Sequence, residues 1–306
     1  MANFQIGCGQ ITWAALNWQN PDNPPYTPDQ MLADIAQAGY AGAPAGPRSG
    51  VTVEEILAEL DKYNLKPAPG YLGANFWDPK KEAEILAKAK AFGEFNQAAG
   101  VGEIYVAAGG FGDYTTSRGV TRWQASGNVL PQDAMSDAEF EQFAKVLTRV
   151  GEITLEYGVK SCFHNHVAST IETAEEIDRL FSMVDRDVVF MGPDTGHLLW
   201  GGVDVMDFCR KYASDIHTIH IKDVDLPVLE KGVAAGWDYG EFSKAGIWTE
   251  LGEGCIDFPA LFALLKEAGF GTNDDGWIIV ETDVTQLATP LESAIASRDY
   301  LKTLGF

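Results

Sequence analysis

Eight short β-like runs, at residues 5–8, 41–43, 66–70, 104–107, 160–166, 188–193, 217–222 and 277–281, alternate with amphipathic helical stretches along the whole chain. Five helix starts pair an N-cap hydroxyl with a Glu or Gln three residues on: Thr27/Gln30, Thr52/Glu55, Ser136/Glu139, Thr173/Glu176 and Thr289/Glu292. That spacing lets each side chain satisfy an orphan amide of the other residue. Pro28 and Pro290 follow two of these caps, where a missing N–H costs nothing. Eight strand-then-helix units in 306 residues, with no change of composition, predict a single (β/α)8 TIM barrel over 1–306. An open doubly wound sheet normally stops at about five or six strands and announces a nucleotide loop. Here Gly109-Gly110-Phe111-Gly112 and Gly252-Glu253-Gly254 match neither GxGxxG nor GxxxxGK followed by Ser or Thr.

Lys and Arg total 22 against 44 Asp and Glu, a formal net charge of −22. Such a surface repels phosphate backbones and anionic membranes, so neither nucleic acid nor a membrane is expected as partner. No run approaches the ~20 apolar residues of a membrane span. The opening MANFQIGCGQITW has no basic region leading into an apolar one, and Cys8, Cys162, Cys209 and Cys255 stand singly without a CxxC. Buried free thiols in a cytoplasmic protein are the expectation.

Two strand-to-helix connections, the fourth at 108–131 and the seventh at 224–250, exceed the usual few residues, and in a barrel both gather over the C-terminal face of the strands. All five histidines, His164, His166, His197, His217 and His220, lie at or just beyond the ends of the fifth, sixth and seventh runs. Alternation puts His164 and His166 on one face of the fifth run, and His220 and Lys222 on one face of the seventh, with His217 on the opposite parity as a structural residue. The sixth run ends in Asp194-Thr195-Gly196-His197, where Gly196 permits a turn that returns His197 to the mouth. Glu281 closes the apolar eighth run, a costly place for a carboxylate unless it is paired or metal-bound. His164, Asp194, His220 and Glu281 thus come from four consecutive strands at one barrel end. Two imidazoles and two carboxylates make a site suited to Mn²⁺, Co²⁺, Mg²⁺ or Zn²⁺ with positions left for substrate oxygens.

These residues carry a family resemblance. The chain resembles the xylose-isomerase-like barrels, and within them most closely the myo-inosose-2 dehydratases of inositol breakdown. The carriers are Tyr157-Gly158-Val159-Lys160, His164-Asn165-His166, Thr173 to Leu180, Asp194-Thr195-Gly196-His197, His220-Ile221-Lys222-Asp223, Gly252 to Phe258 and Gly276 to Glu281. The resemblance implies one divalent metal, Mn²⁺ or Co²⁺ before Mg²⁺ or Zn²⁺, on His164, Asp194, His220 and Glu281. Many isomerases and epimerases of the superfamily have glutamate at the His164 position and move a proton with two metal-bound glutamates. This chain keeps only Glu281 of that pair, which favours dehydration. The DNA-repair branch, with three metals and early-strand histidines, is excluded by the absence of any histidine before His164. Where many relatives have an acidic residue, this chain reads Gly42-Ala43-Pro44-Ala45-Gly46-Pro47, a change that bears on which polyol is bound.

The expected activity is loss of water from a small neutral keto-polyol or keto-sugar. His166 is the expected base, Glu281 the second candidate, and His197 or Lys222 the groups that hold substrate hydroxyls or protonate the departing one. Trp13, at the end of the first run, and Trp237 are expected to wall the pocket. The same chemistry allows keto-sugar isomerisation or epimerisation, or cleavage of 3-keto-glycosides as in C-glycoside deglycosidases. A sugar-binding barrel with a structural metal is the non-enzymatic alternative. Related barrels often pair, so a homo-oligomer is expected.

Overall fold

The computed structural model describes residues 4–19, 25–272 and 276–306. Its strands are β1 (Phe4–Cys8), β2 (Gly42–Pro44), β3 (Lys66–Ala68), β4 (Tyr71–Ala74), β5 (Glu103–Ala108), β6 (Lys160–His164), β7 (Val189–Met191), β8 (Thr218–Ile221), β9 (Asp223–Val224), β10 (Trp248–Thr249) and β11 (Gly276–Val280). The α-helices are α1 (Ile11–Gln19), α2 (Pro28–Ala38), α3 (Val53–Asp61), α4 (Glu82–Ala99), α5 (Asp137–Leu155), α6 (Ala174–Phe181), α7 (Thr195–Trp200), α8 (Val205–Lys211), α9 (Leu226–Ala235), α10 (Tyr239–Ala245), α11 (Phe258–Glu267) and α12 (Pro290–Thr303).

This is a TIM barrel. One parallel ladder runs β3-β2-β1-β11-β8 and another β4-β5-β6-β7. The predicted run at 66–70 covers β3 and stops just before β4, which follows it two residues on, so this strand position passes from the first ladder to the second. On the other side, parallel bridges Met191↔Ile216 and Asp194↔His220 join the β7 and β8 segments. β5 and β11 are buried at every residue, as parallel strands with a filled interior and a helical jacket must be. Inside lie Ala68, Tyr105, Trp277 and Ile279, a cluster separate from the larger core between strands and helices.

All five predicted capping boxes form, at Thr27, Thr52, Ser136, Thr173 and Thr289, each with reciprocal bonds to the Gln or Glu three residues on. The long connection at 224–250 is not an open loop. It contains α9 and α10 and returns through β10, antiparallel to β9. Trp13 is likewise placed differently from expectation: it belongs to α1, fully buried, with its indole N–H donated to Asp34 2.8 Å away. Three of the cysteines are buried free thiols, whereas Cys255 is exposed. Among the described residues, no helix is long and apolar enough to cross a membrane.

Candidate active site

Each ligand candidate is delivered by a strand end. His164 closes β6, and Asn165 after it clamps the next ligand, donating to Asp194 O (3.3 Å) and accepting from Asp194 N (3.0 Å). Asp194 caps α7, its Oδ1 accepting from His197 N at 3.0 Å, so helix start and ligand placement are one arrangement. The turn to His197 is the first turn of α7. Gly196 is required there because a Cβ would lie 2.7 Å from both Lys222 Cβ and the Trp248 ring. His220 and Glu281 arrive from β8 and the end of β11, with His220 Nδ1 3.2 Å from Glu281 Oε2 and 3.7 Å from Asp194 Oδ2. His164 Nε2 lies 3.9 Å from the same Asp194 oxygen. Tyr105 forms the floor, its ring centroid 4.1 Å from that of His220 and its hydroxyl 2.6 Å from Thr218 Oγ1.

One ligand atom each from His164, Asp194 and His220 lies within 4.8 Å of the others, and all three residues are buried. His220 Nδ1 and Asp194 Oδ2, which face each other at 3.7 Å, make no hydrogen bond among the described residues. An orphaned imidazole nitrogen and an orphaned carboxylate oxygen turned toward one another in a buried pocket fit a divalent cation held by His164, Asp194 and His220, with Glu281 adjoining.

The cluster already holds one fixed cation. Lys222 Nζ, 2% exposed as a residue, lies 3.2 Å from Asp194 Oδ2, 3.1 Å from Glu281 Oε2, 2.8 Å from Asp283 Oδ1 and 3.1 Å from His197 Nε2. Burial opposes its charge, but Asp194, Asp283 and Glu281 raise its pKa well above the ordinary lysine value. Burial likewise opposes ionisation of Asp194, yet Lys222 and His220 bring that carboxyl down to about 2. Glu281 is also lowered, by His220 and Lys222 against burial. Asp283 moves the other way: burial raises it, and Lys222 only partly offsets the shift.

Beside this centre stands a second group, His166, His197 and Asp283. His166 Nδ1 lies 2.6 Å from Val167 O, which fixes the proton on Nδ1 and leaves Nε2 as a bare acceptor. Burial, then the charge of Lys222, brings His166 down to about 4. Over it lie Phe111 at 5.0 Å and Tyr239 at 6.2 Å, and Tyr239 donates its hydroxyl to Asp283 Oδ2 at 3.2 Å. The two long connections meet there: Trp123 packs on Tyr239 at 4.5 Å, and Tyr239 N donates to Trp123 O at 3.2 Å.

His164, His166, Asp194, His197, His220, Lys222 and Glu281 are therefore brought together, and Trp13 and Trp237 are not placed among them. Trp237 packs on Phe242 at 5.7 Å and under Lys231 at 5.5 Å, while the wall over His166 belongs to Tyr239. His217 sits apart with Lys160, 3.1 Å away. Asp283, Asn165, Tyr71 and Tyr239 are additional site residues. Asp283 has the same strand parity as Glu281, two residues earlier, and that signal was present in the sequence.

Residues 32–304 match the family model described as xylose isomerase-like TIM barrel. The chain is 31% identical to an inosose dehydratase of Geobacillus kaustophilus (strain HTA426), over 98% of this chain and 94% of that one. Among solved structures it is similar to the probable 3-DHS dehydratase AsbF of Bacillus anthracis, with a TM-score of 0.66, 14% identity and 98% of each chain covered. It is also similar to the IolI protein with a bound zinc atom, at a TM-score of 0.67, 18% identity and 98% of each chain.

Proposed function

The chain belongs to the xylose isomerase-like TIM barrel family, and from that premise we propose that it is a divalent-metal-dependent dehydratase of a keto-polyol of the inosose type. The observation that carries this reading is the proton-transfer inventory of the mouth. Glu281 is the one glutamate in the cluster, His164 takes the fifth-strand position, and His166 presents an unprotonated Nε2 beside them.

Elimination breaks the C–H bond next to a ketone, forms a carbon–carbon double bond and expels a β-hydroxyl, which needs a proton. His166 Nε2 takes the α-proton; it stays neutral and available across the physiological range because burial and Lys222 hold it down. A divalent cation on His164, Asp194, His220 and Glu281, with Mn²⁺ or Co²⁺ the first choices, supplies Lewis-acid stabilisation of the charge that develops on the carbonyl oxygen. Lys222, held in its ammonium form, binds and orients a substrate hydroxyl oxygen. Asp283, 2.8 Å from Lys222 Nζ and hydrogen-bonded by Tyr239, orients that ammonium, and Lys222 gives the departing hydroxyl its proton. Phe111, Trp123 and Tyr239 cover the site and limit water. Glu281 is the second candidate base, but its close approach to His220 and Lys222 favours a ligand role.

The test is ultraviolet absorbance with 2-keto-myo-inositol and Mn²⁺ or Co²⁺, alongside an EDTA-treated sample and His166→Ala. A growing diketone band that requires both metal and His166 is expected. No change with that substrate sinks the reading, and proton exchange over a keto-sugar panel then separates epimerisation from glycoside cleavage.

A further inference from the structure

The chain directly after the proposed base holds an unfavourable backbone conformation. Ser169 N donates to His166 O at 3.2 Å, closing a four-residue turn whose third residue, Ala168, has φ 69°. Val167 before it has a negative φ, so the turn is of type II. That type favours Gly or Asn at the third position, because a Cβ crowds the neighbouring carbonyl there. Alanine on its own prefers the type I form, which differs by a flip of the central peptide, here Val167–Ala168.

Both polar ends of that peptide are engaged. Its carbonyl, Val167 O, accepts the Nδ1 proton of His166 at 2.6 Å, the contact that leaves Nε2 bare. Its N–H, on Ala168, is donated to Glu172 Oε2 at 2.7 Å. Glu172 is 1% exposed and is itself fixed from other sides. Its Oε1 accepts from Gly127 N of the long fourth connection at 2.8 Å. Its own N–H is donated to Glu176 Oε2 at 2.8 Å, and Arg122 stands 3.9 Å from its carboxylate.

We propose that Glu172 is a positioning residue for the base: it holds the Val167–Ala168 peptide in the orientation that gives Val167 O to His166 Nδ1, and so keeps the ring proton off Nε2. This rests on the dehydratase reading above and assigns what sets the form of its base. The C=O and N–H of a trans peptide point in opposite directions. A flip would therefore turn Val167 O away from the imidazole and bring the Ala168 N–H toward it. Nδ1 would then face a donor, and the proton would move to Nε2, where it blocks uptake of the substrate proton.

Glu172→Met keeps the bulk of the side chain and removes both acceptor oxygens. Ala168→Gly, added to it, supplies the residue that takes the left-handed position unaided. Nitrogen-15 NMR of the His166 ring reads the tautomer without substrate, on the full-length protein loaded with diamagnetic Zn²⁺, and His166→Ala assigns the signals. In the unaltered protein Nδ1 is expected to carry the proton. Glu172→Met should move it to Nε2 in most molecules and lower kcat for 2-keto-myo-inositol about tenfold or more, with KM within about twofold. Adding Ala168→Gly should return the proton to Nδ1 and bring kcat back to within about threefold of the unaltered protein.

Ala168→Val is the second route if circular dichroism shows Glu172→Met unfolded. It leaves Glu172 in place, disfavours the left-handed position further, and should move the proton the same way. A proton that stays on Nδ1 in the folded variant overturns the proposal. So does a change in Glu172→Met that Ala168→Gly leaves uncorrected, which makes Glu172 an anchor of the fourth connection only. A proton moved and restored, with no turnover by any form, keeps the positioning role and removes the dehydratase reading. Turnover that needs His166, with a ring proton that never moves, does the reverse.

Discussion

The imidazoles of His166 and His197 lie nearly face to face, with ring centroids 3.6 Å apart and planes 34° from parallel. Two imidazolium ions cannot share that geometry in a buried site. Burial, with His166 and Lys222 adding to it, holds His197 well below its ordinary range, and His166 falls to about 4. The pair is a neutral, hydrogen-bond-accepting surface beside the fixed charge of Lys222.

A neutral base loses function as pH falls through its own pKa, so kcat/KM should stay level from about pH 8 down to about pH 5 rather than halving near 6.5. A cation bound nearby pushes His166 in the same direction. His166→Ala should cost about 10²- to 10⁴-fold in turnover while leaving metal affinity nearly unchanged. Steady-state kinetics across that range check both, and a half-maximal loss near 6.5 would contradict the first.

Gly9→Ala should weaken divalent-metal binding without unfolding the barrel. The added methyl would fall 2.0 Å from Glu281 Oε1 and 2.7 Å from its Cγ, both in a side chain that can swing away. Metal titration by calorimetry should show about a 10- to 100-fold loss of affinity with a normal circular dichroism spectrum. Wild-type affinity would place Glu281 outside the coordination shell.

Lys222→Met removes the ammonium that faces Asp194, Asp283 and Glu281. Uncompensated buried carboxylates cost about 3–5 kcal/mol. Added Mn²⁺ should then raise the melting temperature of the variant more than that of the wild type, because the cation replaces a missing charge. Equal shifts in thermal unfolding would show that metal and ammonium do not share these carboxylates.

Arg122 sits fully buried, 2.8 Å from Glu176 Oε1 and 3.9 Å from Glu172 Oε2. Arg122→Met should lose about 3–5 kcal/mol in urea denaturation. Burial raises Glu172 from 4.5 to about 7, with Arg122 opposing. The folded state therefore keeps that proton longer than the unfolded chain, and this group's contribution to stability falls as pH rises from about 4.5 to about 7. Without Arg122 the folded pKa climbs further, so the variant should go on losing stability above pH 7 where the wild type levels off.

The barrel was legible because periodicity and capping chemistry are local. All eight runs are strands, and the five hydroxyl-to-Glu or Gln pairs do what their spacing demands. The meeting of the four candidate ligands was legible for a related reason: strand parity and chain order put His164, Asp194, His220 and Glu281 at one mouth. What sequence could not supply was lateral contact between loops. Tyr239 reaches His166 because α10 folds back from the seventh connection, and no spacing rule distinguishes it from Trp237, two residues before. Trp13 was misplaced because the chain turns into α1 soon after β1 ends. Asn165 lies on the opposite parity from the ligands and acts through the Asp194 backbone, a relation invisible until β6 and α7 are set side by side.

The candidate ligands and proton carriers all come from 164–283, in the second half of the polypeptide. The first half meets them through Gly9, against Glu281, and Tyr71, against His164. A hybrid that joins the first three strand-helix units of one such barrel to the remainder of another therefore has two seams to match, a residue without a Cβ beside the carboxylate and an aromatic edge beside the imidazole.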